Sequence, residues 1–411
     1  MKILHVVHGY YPALGGSEWL MQCVSENLVK RYTDTVNVYT ANGYNAEAFV
    51  DPRQPLLPAE TFTLNDVTVR RFKVFNRLGP LLYRLQGWSY NLGLPFSQYF
   101  RTWYGGPIMP GLRRAVAQHE ADVVCAMAFP LLHMYTVQNG CEQSHKPLVY
   151  VGALHPLDDW GYGRSMIYEA IHRAAGYVAL SGYEKAYLVE TWGIAPEKIA
   201  VIGVGIDVEP YVQADGAIIR ERYNIGERPL VGFIGQQGWR KGLDALVLGM
   251  KIVWQIFPEA RLLISGAPTQ YTPSIKRIIA EYLSPVERAR IIYLGRFTEA
   301  EKPHLFAACD VFAYPSRYES FGIAFIEAWA AGRPVVGCRA GAVQTVVSDG
   351  VDGMLVPVGD AVVLGTALVK LLSSPTLRQQ MGAAGHEKVL RNYTWDVVTR
   401  RWRAVYERVI I

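Results

Sequence analysis

The stretch Pro315-Ser316-Arg317-Tyr318-Glu319-Ser320-Phe321-Gly322-Ile323-Ala324-Phe325-Ile326-Glu327 sets two carboxylates on either side of a glycine-containing turn that opens an apolar helical run. Amides at a helix start lack intrahelical acceptors and attract a diphosphate, while carboxylates accept hydrogen bonds from hydroxyls. The chemistry suited to this combination is the grip on a phosphorylated ligand that carries a sugar. Read alone, Glu319 and Glu327 are equally one solvated glutamate before a helix and one on its face, so the rest of the chain has to decide.

Three further loops carry residues of the right kind. Tyr11-Pro12-Ala13-Leu14-Gly15-Gly16-Ser17-Glu18 has two glycines that let a ligand approach the backbone just before a helix, although a Gly-Gly turn by itself is an ordinary loop. Gly152-Ala153-Leu154-His155-Pro156 puts a histidine directly after a buried strand; a lone histidine is also a common structural residue. Gly235-Gln236-Gln237-Gly238-Trp239-Arg240-Lys241-Gly242 is glycine-rich, has two cations and precedes a helix, which suits a diphosphate.

The elements that must position these loops alternate between strand and helix. Ile3–Val7, Val36–Tyr39, Val123–Ala126, Leu148–Val151 and Tyr177–Leu180 read as buried strands, with a helix from Ser17 to Lys30 after the first. The pattern restarts at Leu230–Ile234 and continues through Arg261–Ile264, Ile291–Leu294, Val311–Tyr314, Pro334–Gly337 and Met354–Val356. Such alternation predicts an α/β chain with two doubly wound parallel sheets. The expected domains are 1–208 and 209–393, with a helix over about 394–411 packing back on the first through Trp395, Val398, Trp402, Val405 and Val409. Ligands of open parallel sheets lie beyond the carboxyl ends of the strands, which predicts a site in a cleft between two facing domains.

The 411 residues exceed one ordinary core and fit two domains of about 200 residues each. Five scattered cysteines, with no Cys-x-x-Cys pair, read as buried thiols in a reducing compartment. The apolar run at the N-terminus is short for a signal peptide and no segment reaches eighteen uninterrupted apolar residues, so the expectation is a soluble cytoplasmic protein. The net charge of +5 is uneven: from Val67 to His119 there is no Asp or Glu, while Arg70, Arg71, Lys73, Arg77, Arg84, Arg101, Arg113 and Arg114 fall there among many aromatic residues. This reads either as a peripheral contact with an anionic membrane, at the inner face of the plasma membrane, or as ordinary core rings and surface arginines. Nucleic acid is not expected as a partner, because the basic stretch is local and no binding motif accompanies it.

Taken in order, these segments resemble the retaining glycosyltransferases of glycosyltransferase family 4. The matching residues are Pro12, Gly15-Gly16-Ser17-Glu18, Ile202–Asp207, Lys241-Gly242-Leu243, Tyr293–Phe297, Pro315-Ser316, Glu319-Ser320-Phe321-Gly322, Glu327-Ala328, Gly332–Val336, Ala340-Gly341, Asp349-Gly350 and Gly353–Pro357, spread over almost the whole chain. The resemblance implies the GT-B architecture of two Rossmann-like domains, the first holding the acceptor and the second the nucleotide-sugar donor.

It also implies roles. Glu319, Lys241 and His155 would be catalytic: Glu319 facing the transferred sugar, Lys241 neutralising the leaving diphosphate, and His155 hydrogen-bonded to the donor sugar. Gly15, Gly16, Gly235, Gln236, Arg240, Ser320, Phe321, Gly322 and Ile323 would line the diphosphate, Glu327 would hold the ribose hydroxyls, and backbone near Phe297 would read the base. The implied reaction moves a hexose-type sugar from a UDP- or GDP-sugar to a hydroxyl acceptor, a lipid-linked or polysaccharide-precursor glycan, with retention of configuration. Neither a cofactor nor a metal is expected, in keeping with the absence of an Asp-x-Asp motif. Two positions depart from the family pattern: Gln236 stands where an arginine is usual and Gln344 where a glutamate is usual. One lost charge-assisted phosphate bond is worth about 1.5–3 kcal/mol, and Arg240 is placed to compensate. The alternatives are a weakly active or non-catalytic sugar-nucleotide-binding homologue, supported by those two glutamines, and a sugar-nucleotide epimerase of the same fold.

Overall fold

The computed structural model describes residues 1–12 and 15–410, which fall into two compact units. The first comprises Met1–Leu180, Glu184–Gly203 and Val398–Ile411; the second comprises Ser181–Tyr183 and Val204–Val397.

The first unit is built on an eight-stranded sheet. Its strands are β1 (Lys2–Val7), β2 (Thr35–Ala41), β3 (Thr61–Leu64), β4 (Val67–Phe72), β5 (Val123–Met127), β6 (Leu148–Val151), β7 (Gly176–Ala179) and β8 (Ile199–Val201). They lie in the order β3-β4-β2-β1-β5-β6-β7-β8, parallel except for the β3–β4 hairpin. Ile3 at the centre is flanked by Val36 on one side and Val123 on the other. Such strands are buried on both faces, so they read as continuous Val/Ile/Leu runs. The sequence reading lacked β3, β4 and β8. The hairpin turns on Asn65-Asp66, both left-handed at φ 49° and 64°, the two-residue turn whose twist matches that of its strands.

The second unit carries six parallel strands. They are β9 (Leu230–Ile234), β10 (Arg261–Ser265), β11 (Ile291–Gly295), β12 (Val311–Tyr314), β13 (Val335–Cys338) and β14 (Gly353–Val356). Their order, β11-β10-β9-β12-β13-β14, is that of a dinucleotide-binding doubly wound sheet. The direction of winding reverses between β9 and β12.

From Val398 onward the C-terminal helix Trp395–Ile410 belongs to the first unit, as expected, whereas Trp395, expected to pack there too, belongs to the second unit and lies against Gly205. Trp402 and Tyr406 are wholly buried. The Tyr406 hydroxyl lies 2.9 Å from Nε2 of His5, in the middle of β1, and the His5 Nδ1 lies 2.7 Å from Ser25 Oγ. Asp34 accepts from the Met1 ammonium at 2.8 Å and from Arg403 Nε at 3.1 Å. One buried imidazole and one buried carboxylate thus tie both ends of the chain to the same sheet. Four of the cysteines are buried free thiols, as read from the sequence, whereas Cys23 is half-buried.

Candidate functional site

Neighbouring parallel strands whose connections leave in opposite directions open a crevice at their carboxyl ends. In the second unit these are β9 and β12, and two of the predicted loops follow them: Gly235–Gly242 and Pro315–Gly322.

The two loops are fastened together. The Arg317 amide donates to Arg240 O at 2.8 Å. Its guanidinium forks onto Asp244 at 3.0 and 2.7 Å, donates to Trp239 O at 2.7 Å and covers the Trp239 ring. Gly242 has φ 68°, and a Cβ there would stand 2.0 Å from Pro315 O, so only glycine permits this approach. The consequence is an ion pair: Lys241 Nζ sits 2.7 Å from Glu319 Oε1, both side chains half-buried. Below the pair lies the buried Tyr314 ring, whose hydroxyl is pushed well up by burial and by the charges of Glu319 and Glu327.

Gly322 then starts the helix Ile323–Ala330 from a left-handed conformation, φ 97° and ψ 62°, with no side-chain cap. The Phe325 amide turns back to Gly322 O at 3.0 Å, while the amides before it are not capped by a side chain and suit an anion. Phe321 is buried against the Tyr393 ring and fixes the turn, and Ile323 is half-buried. Within this apolar helix Glu327 is the one charged residue, 8% exposed. Its Oε1 accepts from Tyr211 Oη at 2.8 Å and from Lys302 Nζ at 2.8 Å; Lys302 also pairs with Glu299 at 2.7 Å. Burial pulls the Lys302 ammonium down, but the two carboxylates outweigh it and hold it above the ordinary lysine value.

Other predicted residues lie around this centre. Phe297, after β11, is half-buried and lines a small cavity with Ser265, Leu294 and Arg296. Arg240 is exposed, its guanidinium over the Tyr318 ring at 4.9 Å, one residue from Glu319. Gln236 is exposed; the inward side chain is Gln237, whose Nε2 donates to Gly266 O at 3.2 Å. Gln344 is exposed on the short turn Val343–Val346.

The first unit reverses between β1 and β5, and the loop after β1 holds Gly15 and Gly16; Ala13 and Leu14 lie outside the described residues. A Cβ on Gly15 would stand 2.7 Å from Glu18 Oε2, the end of a flexible side chain, whereas Gly16 faces open space. Glu18 pairs with His8 Nε2 at 2.9 Å. Burial pushes Glu18 up, but hydrogen bonds from His8 and from the Gly15 and Glu18 amides bring it below the usual carboxylate value. His133, wholly buried beside His8, is pushed down to about 3 by burial.

His155 follows β6 as predicted, half-buried with its ring edge-on to Tyr162. Its loop is held from within by Glu184, which accepts from Leu154 N at 3.1 Å, Leu180 N at 2.8 Å and Tyr177 Oη at 2.6 Å. Burial raises Glu184 despite these donors.

The basic stretch needs correction. Arg71 and Arg101 are buried: Arg71 holds Tyr11 O at 2.7 Å, and Arg101 holds Trp160 O at 2.7 Å. The other six cations are exposed. On the helices Gly79–Asn91 and Ser97–Gly105 and the turn between them, Leu81, Trp88, Leu92, Phe96, Tyr99 and Trp103 all face solvent.

Lys302, Tyr211 and Glu184 were not singled out in the sequence, and Glu18 stood there only within the Gly15-Gly16-Ser17-Glu18 run, without a role. Glu184 shares the buried stripe of helix Gly182–Trp192 with Leu188, four residues on.

Two family models match the chain: Glycosyltransferase Family 4 over residues 14–210 and Glycosyl transferases group 1 over residues 216–388. Among curated proteins, the phosphatidyl-myo-inositol mannosyltransferase of Mycobacterium leprae is 38% identical over 171 residues, 41% of this chain and 44% of that protein. The D-inositol 3-phosphate glycosyltransferase of Corynebacterium diphtheriae is 31% identical over 225 residues, 53% of this chain and 52% of that protein. The chain thus spans about half the length of these curated relatives. The crystal structure of Anabaena Alr3699/HepE in complex with UDP and glucose superposes with a TM-score of 0.73 at 19% identity, over 99% of this chain and 100% of that one. That likeness bears on the fold, which is GT-B.

Proposed function

Because the chain belongs to glycosyltransferase family 4, we propose that it is a retaining, metal-independent hexosyltransferase acting on a UDP- or GDP-sugar and a hydroxyl acceptor. The observation that carries this reading is the Lys241–Glu319 pair at 2.7 Å beside the uncapped amides at Gly322 and Ile323.

Breaking the anomeric C–O bond sends its electron pair to the diphosphate and leaves positive charge on the sugar. Fixed donors at the leaving group lower that barrier. Lys241 and the helix-start amides supply them, with Arg240 adding charge where Gln236 supplies none. Lys241 then exchanges part of its contact with Glu319 for the diphosphate, and the freed carboxylate faces the cationic sugar. The acceptor hydroxyl forms the new C–O bond on the same face and passes its proton to a phosphate oxygen. Glu327 holds the ribose, and backbone near Phe297 reads the base. We assign Gly16 to the diphosphate and His155 to the sugar. The UDP and glucose in the Anabaena structure support a UDP-sugar donor; the mannosyltransferase name of the mycobacterial relative keeps a mannosyl donor in the test.

We assign the acceptor to the first unit and take it to be lipid-linked or a polysaccharide precursor, met at the cytoplasmic face of an anionic membrane. Six exposed cations in a stretch without carboxylates, and the exposed side chains of Leu81, Tyr83, Trp88, Leu92, Phe96, Tyr99 and Trp103 on the helix pair and its turn, support that placement. We take the contact to be peripheral; among the described residues no single helix is long and apolar enough to cross a bilayer. Release of UDP or GDP across a panel of sugar nucleotides tests the enzyme. Hydrolysis of one donor, lost in Glu319→Gln and Lys241→Ala, supports it; an inert panel favours the sugar-nucleotide-binding alternative that the exposed Gln236 suggests.

A further inference from the structure

The exposed helix pair is joined from behind to the segment that carries His155. Arg101, on helix Ser97–Gly105 and 4% exposed, donates to Asp159 O at 3.3 Å, Trp160 O at 2.7 Å and Gly163 O at 3.2 Å. Two of these carbonyls belong to the short helix Asp159–Tyr162 and the third to its C-cap, Gly163. Arg164, 2% exposed, reaches back to Thr102 Oγ1 at 2.9 Å and also holds Trp160 O at 3.2 Å. The Met166 amide donates to Gln98 Oε1 at 3.2 Å, and the Tyr90 hydroxyl to Asp159 Oδ2 at 3.3 Å.

From that helix the path to His155 is short. Asp158 N donates to His155 O at 2.9 Å, the Asp158 carboxylate caps the helix, and the Tyr162 ring packs on the His155 ring. The terminal nitrogens of two buried guanidiniums, held by main-chain carbonyls and the Thr102 hydroxyl, form the joint, while each Nε has no partner among the described residues; losing an acceptor leaves a further buried charged donor unpaired.

We propose that the helix pair and the His155 loop act as one body, with Arg101 as the positioning residue that joins them, so that docking on an anionic membrane sets the place of His155. The proposal rests on the membrane reading above. One face of the pair offers aromatic rings to lipid, and the opposite face grips the loop that we assign to the donor sugar. An order imposed at the rings is therefore carried to residues 152–166 without any movement of the sheet.

Hydrogen exchange on the full chain, with and without phosphatidylcholine vesicles carrying about 30% phosphatidylglycerol, tests this. In the unmodified protein, vesicles should slow exchange about threefold or more both in 79–105 and in 152–166. Arg101→Gln should keep the first effect and lose the second; Trp88→Glu, on the exposed face, should lose both. Thr102→Val, which removes the acceptor for Arg164 and the 3.5 Å bond to Met166 Sδ across the same joint, repeats the test should Arg101→Gln loosen the helix itself, seen as fast exchange in 79–105 before vesicles are added. Slowing confined to 79–105 in the unmodified protein, or slowing of both segments in Arg101→Gln and Thr102→Val, overturns the proposal. No slowing anywhere overturns it together with the membrane reading, while nucleotide release without vesicles judges the transferase reading separately.

Discussion

Removing Lys302 while keeping its bulk, as Lys302→Met, leaves the Glu327 carboxylate in an apolar helix with Tyr211 as its remaining partner. At 2.8 Å the attraction between the two charges is about 6 kcal/mol at an effective dielectric of about 20. Desolvation of both ions offsets most of it, so the pair itself adds little stability. Breaking it is another matter. The side chains are 19% and 10% exposed, and a stranded carboxylate at that burial costs about 3 kcal/mol. Glu327→Gln should cost less, about 1–2 kcal/mol, because Lys302 retains the exposed Glu299. The double substitution restores a neutral pair and should cost about 1 kcal/mol, giving a coupling of about 3 kcal/mol. Hydrogen exchange of the 323–330 amides, together with urea unfolding, reads these values. Effects that add to within about 0.5 kcal/mol would refute the claim that Glu327 is charged and held by Lys302.

Other perturbations have equally definite outcomes. Gly322→Ala forces a Cβ into the left-handed region 2.7 Å from Phe325 Cδ2, so the helix start should shift, at about 1–3 kcal/mol, and UDP affinity should fall in a calorimetric titration. His5 and His133, each held near pKa 3 by burial, stay neutral in the fold while an unfolded chain protonates below about 6.5. The unfolded state then binds more protons, so stability present above 6.5 is lost as pH falls toward 3, by about 2 kcal/mol per histidine at pH 5; His133→Asn should flatten the fall of the melting temperature with acid. Flotation with anionic vesicles at low salt should recover the protein and fail for Trp88→Ala combined with Trp103→Ala, both rings being about half exposed.

Much of the architecture was legible because buried parallel strands leave uninterrupted apolar runs. β5–β7 and β9–β14 did so nearly throughout, β1 and β2 with one polar interruption each at His5 and Asn37, and the loops after β9 and β12 could be picked out by their glycines and charges. The hairpin β3–β4 was missed although Asn65-Asp66 between alternating strands is a turn signal, because the arginines of β4 were counted with a surface patch. Arg71 and Arg101 show why composition misleads there. A basic stretch says nothing about which guanidiniums end on main-chain carbonyls, and these two do. The partners of Glu327 were out of reach for a different reason. Tyr211 and Lys302 stand 116 and 25 positions away, and their convergence on one carboxylate oxygen is a product of packing. The pairing of Glu18 with His8, just after β1, is likewise a product of packing.

The grip of Lys241 and the 322–323 amides on a nucleoside diphosphate is most directly tested by the place of UDP or GDP in a crystal of the complex. The account predicts diphosphate oxygens within hydrogen-bond reach of the Ile323 amide and of Lys241 Nζ, with the Glu319–Lys241 pair of 2.7 Å opened or shared. Nucleotide bound away from the ends of β9 and β12, with that pair intact, would contradict it.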